Sequence, residues 1–320
     1  MLMDLTTGTI RLLADLNPEF RTFKLSNAVR IEGTNKYGDN WFAHFVKPLD
    51  YQIGKKYPLI ITTYRSGDNR FLRGGSGDEY PIQVFAANGF AVLSFDTGVD
   101  KAFKPGDFHS AILQWESPVA SMQMAVDKLA HTGIVDSTRV GITGLSHGGE
   151  MVEYAISHSD FVQAAIESGG GARDPYFYYI AGTAWHGIFS DWGLGGWPEG
   201  KAKANWQVLS PPLNADRIKA PLLSNSADSE VLLALPLIVS LQQLKRPVEL
   251  FIYPGELHVK NQPKHRYEIY ERNVDWFRFW LKGEEDPDPA KADQYVRWRE
   301  LRKLQEKNQA TQTGAKQGHP

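Results

Sequence analysis

The 320-residue chain contains no cysteine. Disulfides, thiolate metal sites and a cysteine nucleophile are therefore excluded, and the usual redox clue to compartment is missing. Charge of neither sign dominates, because 35 basic and 37 acidic residues leave a net charge of −2. That balance argues against an electrostatic nucleic-acid binder. No apolar run reaches the roughly 18 residues of a membrane span. The opening stretch MLMDLTTGTI lacks the charged-then-apolar order of a secretory signal, so the default expectation is a cytoplasmic protein. Neither G-x-x-x-x-G-K-[ST] nor H-E-x-x-H occurs, so no cofactor and no metal site is expected. No repeat of about 20 to 50 residues marks a solenoid or propeller within the chain. What is present, 42% apolar and 12% aromatic residues, suits a packed globule. Oligomeric state is not legible.

Short runs rich in β-branched residues alternate with longer amphipathic stretches. The runs are Pro58–Tyr64, Phe90–Phe95, Val140–Gly144, Phe161–Glu167, Pro221–Ser226 and Val248–Tyr253. This pattern predicts an α/β fold with a mostly parallel sheet covered by helices on both faces. Helices are expected at Tyr80–Asn88, Ser117–Leu129, Gly148–Ser157, Glu230–Leu244 and Lys264–Leu281, with Pro118 at a first helical position. Ahead of them, Ala28–Glu32 and Trp41–Val46 flank a polar turn and predict an antiparallel hairpin. The first 25 residues read as a lone strand pair. After Gly283 the composition predicts a charged linker, a surface helix over 290–307 and a disordered tail.

Gly144-Leu145-Ser146-His147-Gly148 is the chain's one G-x-S-x-G, set between a predicted strand and a predicted helix. In such an elbow the glycines relieve crowding at a sharp turn and the serine hydroxyl projects above the sheet. The following N–H groups lie at a helix N-terminus, where partial positive charge favours an oxyanion. Serine needs a general base, and in the order Ser…Asp/Glu…His the base follows the last core strand. His258 occupies that place, just beyond Val248–Tyr253. Asp228, after Pro221–Ser226, is the expected carboxylate, although Asp also favours a helix N-cap. Glu230 and Asp216 compete with it, Asp216 from the wrong end of the sheet. Tyr64 ends its strand at the same edge, as a site or core residue. Arg65, Arg70 and Arg73 in the next loop either line a substrate cleft or pair with Asp68, Asp78 and Glu79.

Over roughly Ala28 to Lys282 the chain resembles the prolyl oligopeptidase family of serine peptidases. The resemblance rests on the elbow, on Ala227-Asp228, on Tyr253 to His258 and on the aromatic stretch Asn273 to Phe277. It implies an α/β-hydrolase fold, a triad of Ser146, Asp228 and His258, and an oxyanion hole made by Tyr64 and the N–H of His147. Tyr64-Arg65-Ser66, Phe71 to Gly75 and Gly77 to Pro81 resemble the lasso-peptide isopeptidase branch, whose members open the macrolactam of a peptide. Arg65 and Arg73 are then candidate substrate-binding residues. The expected domains are a propeller-blade remnant at 1–25, a peptidase domain at 26–283 and the C-terminal segment at 284–320. The chain departs from the family in showing no further propeller. The expected activity is amide hydrolysis through an acyl-enzyme on a peptide substrate. The alternatives are a general exopeptidase or small-ester hydrolase, and a catalytically weak remnant.

Overall fold

A computed structural model describes residues 2–15, 18–66, 81–98, 103–195 and 200–317. Ten strands occur among them: β1 (Leu2–Met3), β2 (Ile10–Arg11), β3 (Ala28–Thr34), β4 (Asn40–Val46), β5 (Tyr57–Thr62), β6 (Ala91–Phe95), β7 (Val135–Leu145), β8 (Ala164–Ser168), β9 (Leu222–Ala227) and β10 (Val248–Tyr253). The helices are α1 (Ile82–Ala87), α2 (Phe108–His131), α3 (His147–His158), α4 (Pro175–Ile180), α5 (Thr183–Asp191), α6 (Gly200–Leu209), α7 (Val231–Gln243), α8 (Pro263–Phe277) and α9 (Ala292–Gln317).

Eight strands form one sheet in the order β10-β9-β8-β7-β5-β6-β4-β3. The six expected runs supply its parallel part, and β3–β4 is the expected hairpin, joined to β6 by antiparallel pairing. Strands β5 and β6 are buried along their whole length, as a sheet covered on both faces requires. Leu59 and Ile61 of β5 pack toward α2, α3 and α7, while Ile60 faces the layer of α1 and α8. This is an α/β-hydrolase fold. Its parallel strands point their carboxyl ends to one rim, where β7, β8, β9 and β10 deliver the loops of interest.

Three elements differ from expectation. Helix α2 starts at Phe108, not near Ser117, because Asp107 caps it by accepting the N–H of His109. Pro118 therefore sits inside the helix, where it removes one backbone bond. The helix tolerates this where its neighbours are held from outside: Asn35 Nδ2 donates to the Ser117 carbonyl at 3.0 Å, and Ser117 Oγ donates to Asp39. Helix α8 gives way at Arg278–Lys282 to a π-helical turn, closed by Gly283 at φ 70°. The C-terminal helix is not a free surface element and continues into the stretch expected to be disordered. Tyr295 and Trp298 are buried, and the Trp298 ring stands edge-on to Trp276 at 5.0 Å. Among the described residues, strands β1 and β2 pair only with each other.

Candidate active site

Ser146 sits between the end of β7 and the start of α3, at φ 63° and ψ −128°. A non-glycine residue there is strained and persists only when its surroundings fix it. Its N–H donates to the Ser168 carbonyl at 2.8 Å, and its carbonyl accepts from Glu150 at 3.0 Å. The flanking glycines are required by close approach. A Cβ on Gly144 would lie 2.2 Å from the Gly148 oxygen, and one on Gly148 would lie 2.8 Å from the Thr63 carbonyl oxygen. Thr63 Oγ1 also donates to the Gly148 carbonyl at 2.9 Å, tying the end of β5 to the elbow.

His258 reaches the same rim from the loop after β10. Glu256 fastens that loop: its carboxylate accepts the N–H groups of Asn261 and Gln262 and bonds to His265. The imidazole lies against Gly169, where a Cβ would come within 2.8 Å of Cε1. Gly169 directly follows Ser168, whose carbonyl holds the Ser146 N–H. The turn after β8 thus brings His258 beside the elbow.

The carboxylate on His258 is not the expected one. Glu230 Oε1 lies 2.8 Å from His258 Nδ1. Asp228 instead accepts the N–H of Gly255 through Oδ2, also at 2.8 Å. The physical reason is the 3-10 turn Asp228–Glu230 that follows β9. Its first residue faces the β10 loop backbone, and two positions later the side chain faces the ring.

Tyr64 has φ 114°, a second strained non-glycine residue at this rim. Its carbonyl accepts from both the N–H and the hydroxyl of Thr97, at 3.1 and 2.9 Å. Its ring stands edge-to-face with that of His147, centroids 5.6 Å apart. His147 is the first residue of α3, so its N–H is among those that a helix leaves without an intrahelical partner. The Arg65 guanidinium is 5.6 Å from the Tyr64 ring centre. Arg73, and the motif residues 71–75 and 77–80, lie outside the described residues.

Sequence reasoning missed the buried charges beneath this rim. Glu150 Oε2 meets both Arg173 Nη2 at 2.9 Å and His147 Nδ1 at 3.0 Å. Burial pushes the Glu150 carboxyl up, but Arg173, His147 and, through space, His258 outweigh it and hold it below its ordinary value. Glu153 behaves oppositely. Burial and the neighbouring Glu167 push its carboxyl well above the ordinary range, against the opposing N–H of Gly171. Buried Lys260 donates to Ser168 Oγ and to the Asn225 carbonyl. The spacing of His147 and Glu150, three apart on one helix face, was the available signal for the first of these contacts.

A profile of the prolyl oligopeptidase family matches residues 78–284. The lasso peptide isopeptidase AtxE2 of Asticcacaulis excentricus is 39% identical over 316 residues, covering 96% of this chain and 45% of that protein. A dipeptidyl-peptidase 5 of Porphyromonas gingivalis is 25% identical over 257 residues, covering 77% of this chain and 36% of that protein. Among solved structures, a serine-to-alanine variant of the AtxE2 isopeptidase with Astexin3-dC4 bound matches with a TM-score of 0.79 at 37% identity, over 94% of this chain and 47% of that one. The chain thus spans less than half the length of these relatives.

Proposed function

The chain belongs to the prolyl oligopeptidase family, and on that premise we propose that it hydrolyses amide bonds of peptides through an acyl-enzyme, with the macrolactam of a lasso peptide as its substrate. The observation that carries this reading is the 2.8 Å contact of Glu230 with His258 Nδ1, made on the rim where the Ser146 elbow stands. Glu230 holds the Nδ1–H tautomer and stabilises the imidazolium, which leaves Nε2 to accept the Ser146 proton. Ser146 Oγ attacks the carbonyl carbon. The Tyr64 hydroxyl and the His147 N–H donate to the oxyanion, and such donors act where charge develops in the transition state. His258 then protonates the leaving amine, and a water molecule, deprotonated by His258, releases the acid. Arg65, exposed beside Tyr64, is proposed to contact the substrate, and the same role is proposed for Arg73, which lies outside the described residues.

An isopeptide and a backbone peptide bond are alike at the carbonyl, so choice between them comes from how flanking atoms are held. The likeness to AtxE2, called a lasso peptide isopeptidase, supports the macrolactam reading. The likeness to a dipeptidyl-peptidase supports a second reading, a general exopeptidase. In the same proposal, residues 1–25 belong to a propeller blade beside the peptidase domain at 26–283. That β1 and β2 share no ladder with the main sheet supports this division. The test is labelling by a fluorophosphonate probe. Wild type is expected to label at Ser146 and Ser146→Ala is not, with both folded by circular dichroism. Equal labelling of the two would reject the nucleophile.

A further inference from the structure

Beneath the proposed oxyanion hole lies a buried ion pair to which acyl transfer assigns no step. Arg173 and Glu150 are each more than nine-tenths buried. Taking two charges out of water costs about what their attraction returns, so such a pair is weak support for stability. Its placement suggests another role. The Arg173 guanidinium is clamped between the rings of Trp192 and Trp115, at 4.1 and 4.8 Å. Glu150 therefore has a fixed cation behind it, and it presents the same oxygen to His147 Nδ1. With Glu150 ionised, Nδ1 carries the proton and the imidazole is held in one rotamer. The ring then stands edge-to-face between Tyr64 at 5.6 Å and Trp115 at 5.8 Å.

We propose that Arg173, Glu150 and the His147 imidazole are positioning residues that set the orientation of the Tyr64 phenol in the oxyanion hole. The inference rests on the proposed function, since it needs Tyr64 to be an oxyanion donor. Tyr64 has particular need of such support. Its backbone is held at a φ that L side chains rarely adopt, and Thr97 pins only its carbonyl. A donor displaced by a fraction of an ångström loses much of its effect, because catalysis depends on where the developing charge will sit.

A double-mutant cycle on the full chain tests this, with a peptide amide and a p-nitrophenyl ester as substrates. His147→Ala keeps the backbone N–H after Ser146 but removes the ring. His147→Asn does the same while offering Glu150 a side-chain N–H, which guards against a variant that fails to fold. Each is expected to lower kcat about ten-fold or more with KM within about two-fold. In a Tyr64→Phe background, which lacks the phenolic donor, either change should alter kcat less than about two-fold. An equal loss in both backgrounds, or no loss in either, overturns the inference. Wild-type turnover and Ser146 labelling report on the function separately. An inactive, unlabelled wild type sinks the function and this inference with it, whereas an additive cycle in an active enzyme sinks the inference alone.

Discussion

Two acids two residues apart do different work after β9. Asp228 holds the Gly255 N–H, and Glu230 holds the His258 ring. If Glu230 fixes the imidazole tautomer, Glu230→Gln should lower kcat by about 10³ to 10⁴. Asp228→Ala, which removes the acceptor of the Gly255 N–H, should leave kcat within about three-fold and cost stability of about 1 kcal/mol, the ordinary worth of one hydrogen bond. Steady-state kinetics and urea unfolding of both variants check this, and the reverse ranking would restore Asp228 to the triad. At this scale the strand-to-helix elbow at Ser146 and the loop position of His258 were legible, because the G-x-S-x-G pattern and the place after the last core strand each point to one residue. The acid was not. A strand end says where a carboxylate must come from, but the course of a three-residue turn decides which one faces the ring.

At the scale of elements, the parallel strands were readable because each is a short run buried on both faces. Helix α2 was misread because Pro118 resembles a start signal, and tertiary contacts from Asn35 and Asp39 override it. The join between α3 and the turn after β8 carries the buried Glu153, whose carboxylate accepts the Gly171 N–H at 3.1 Å. Its proton is bound more tightly in the folded state than in the unfolded chain, where the ordinary value of 4.5 applies. Its contribution is thus fully present below that value, and stability falls as pH rises toward the raised folded pKa. Glu153→Gln keeps an acceptor for Gly171 and removes the proton. The variant should be more stable than wild type at neutral pH, and the difference should shrink as pH falls toward 4.5. Thermal unfolding at several pH values checks it, and a difference independent of pH would refute the assignment.

At the scale of the whole molecule, the C-terminal helix closes one face of the core although its composition reads as a charged surface segment. Trp298 lies in a cluster with Trp276, Phe279 and Tyr295. Trp298→Ala is expected to cost about 3 to 5 kcal/mol, against about 0.5 kcal/mol for a truly exposed position. Denaturant midpoints distinguish the two. Charged residues around a few aromatic ones hid this packing in the sequence, since a single buried stripe on a mostly polar helix gives little periodic signal.

The proposed hydrolysis requires Ser146, His258 and Glu230 to open an amide bond together at one rim. Mass spectrometry of a threaded lasso peptide incubated with the protein tests this most directly. Wild type is expected to convert it to a linear peptide heavier by one water, while Ser146→Ala and Glu230→Gln leave the ring closed over the same time. Ring opening by the Ser146→Ala protein at the wild-type rate, or an intact ring with wild type under conditions where a simple ester is cleaved, would contradict it.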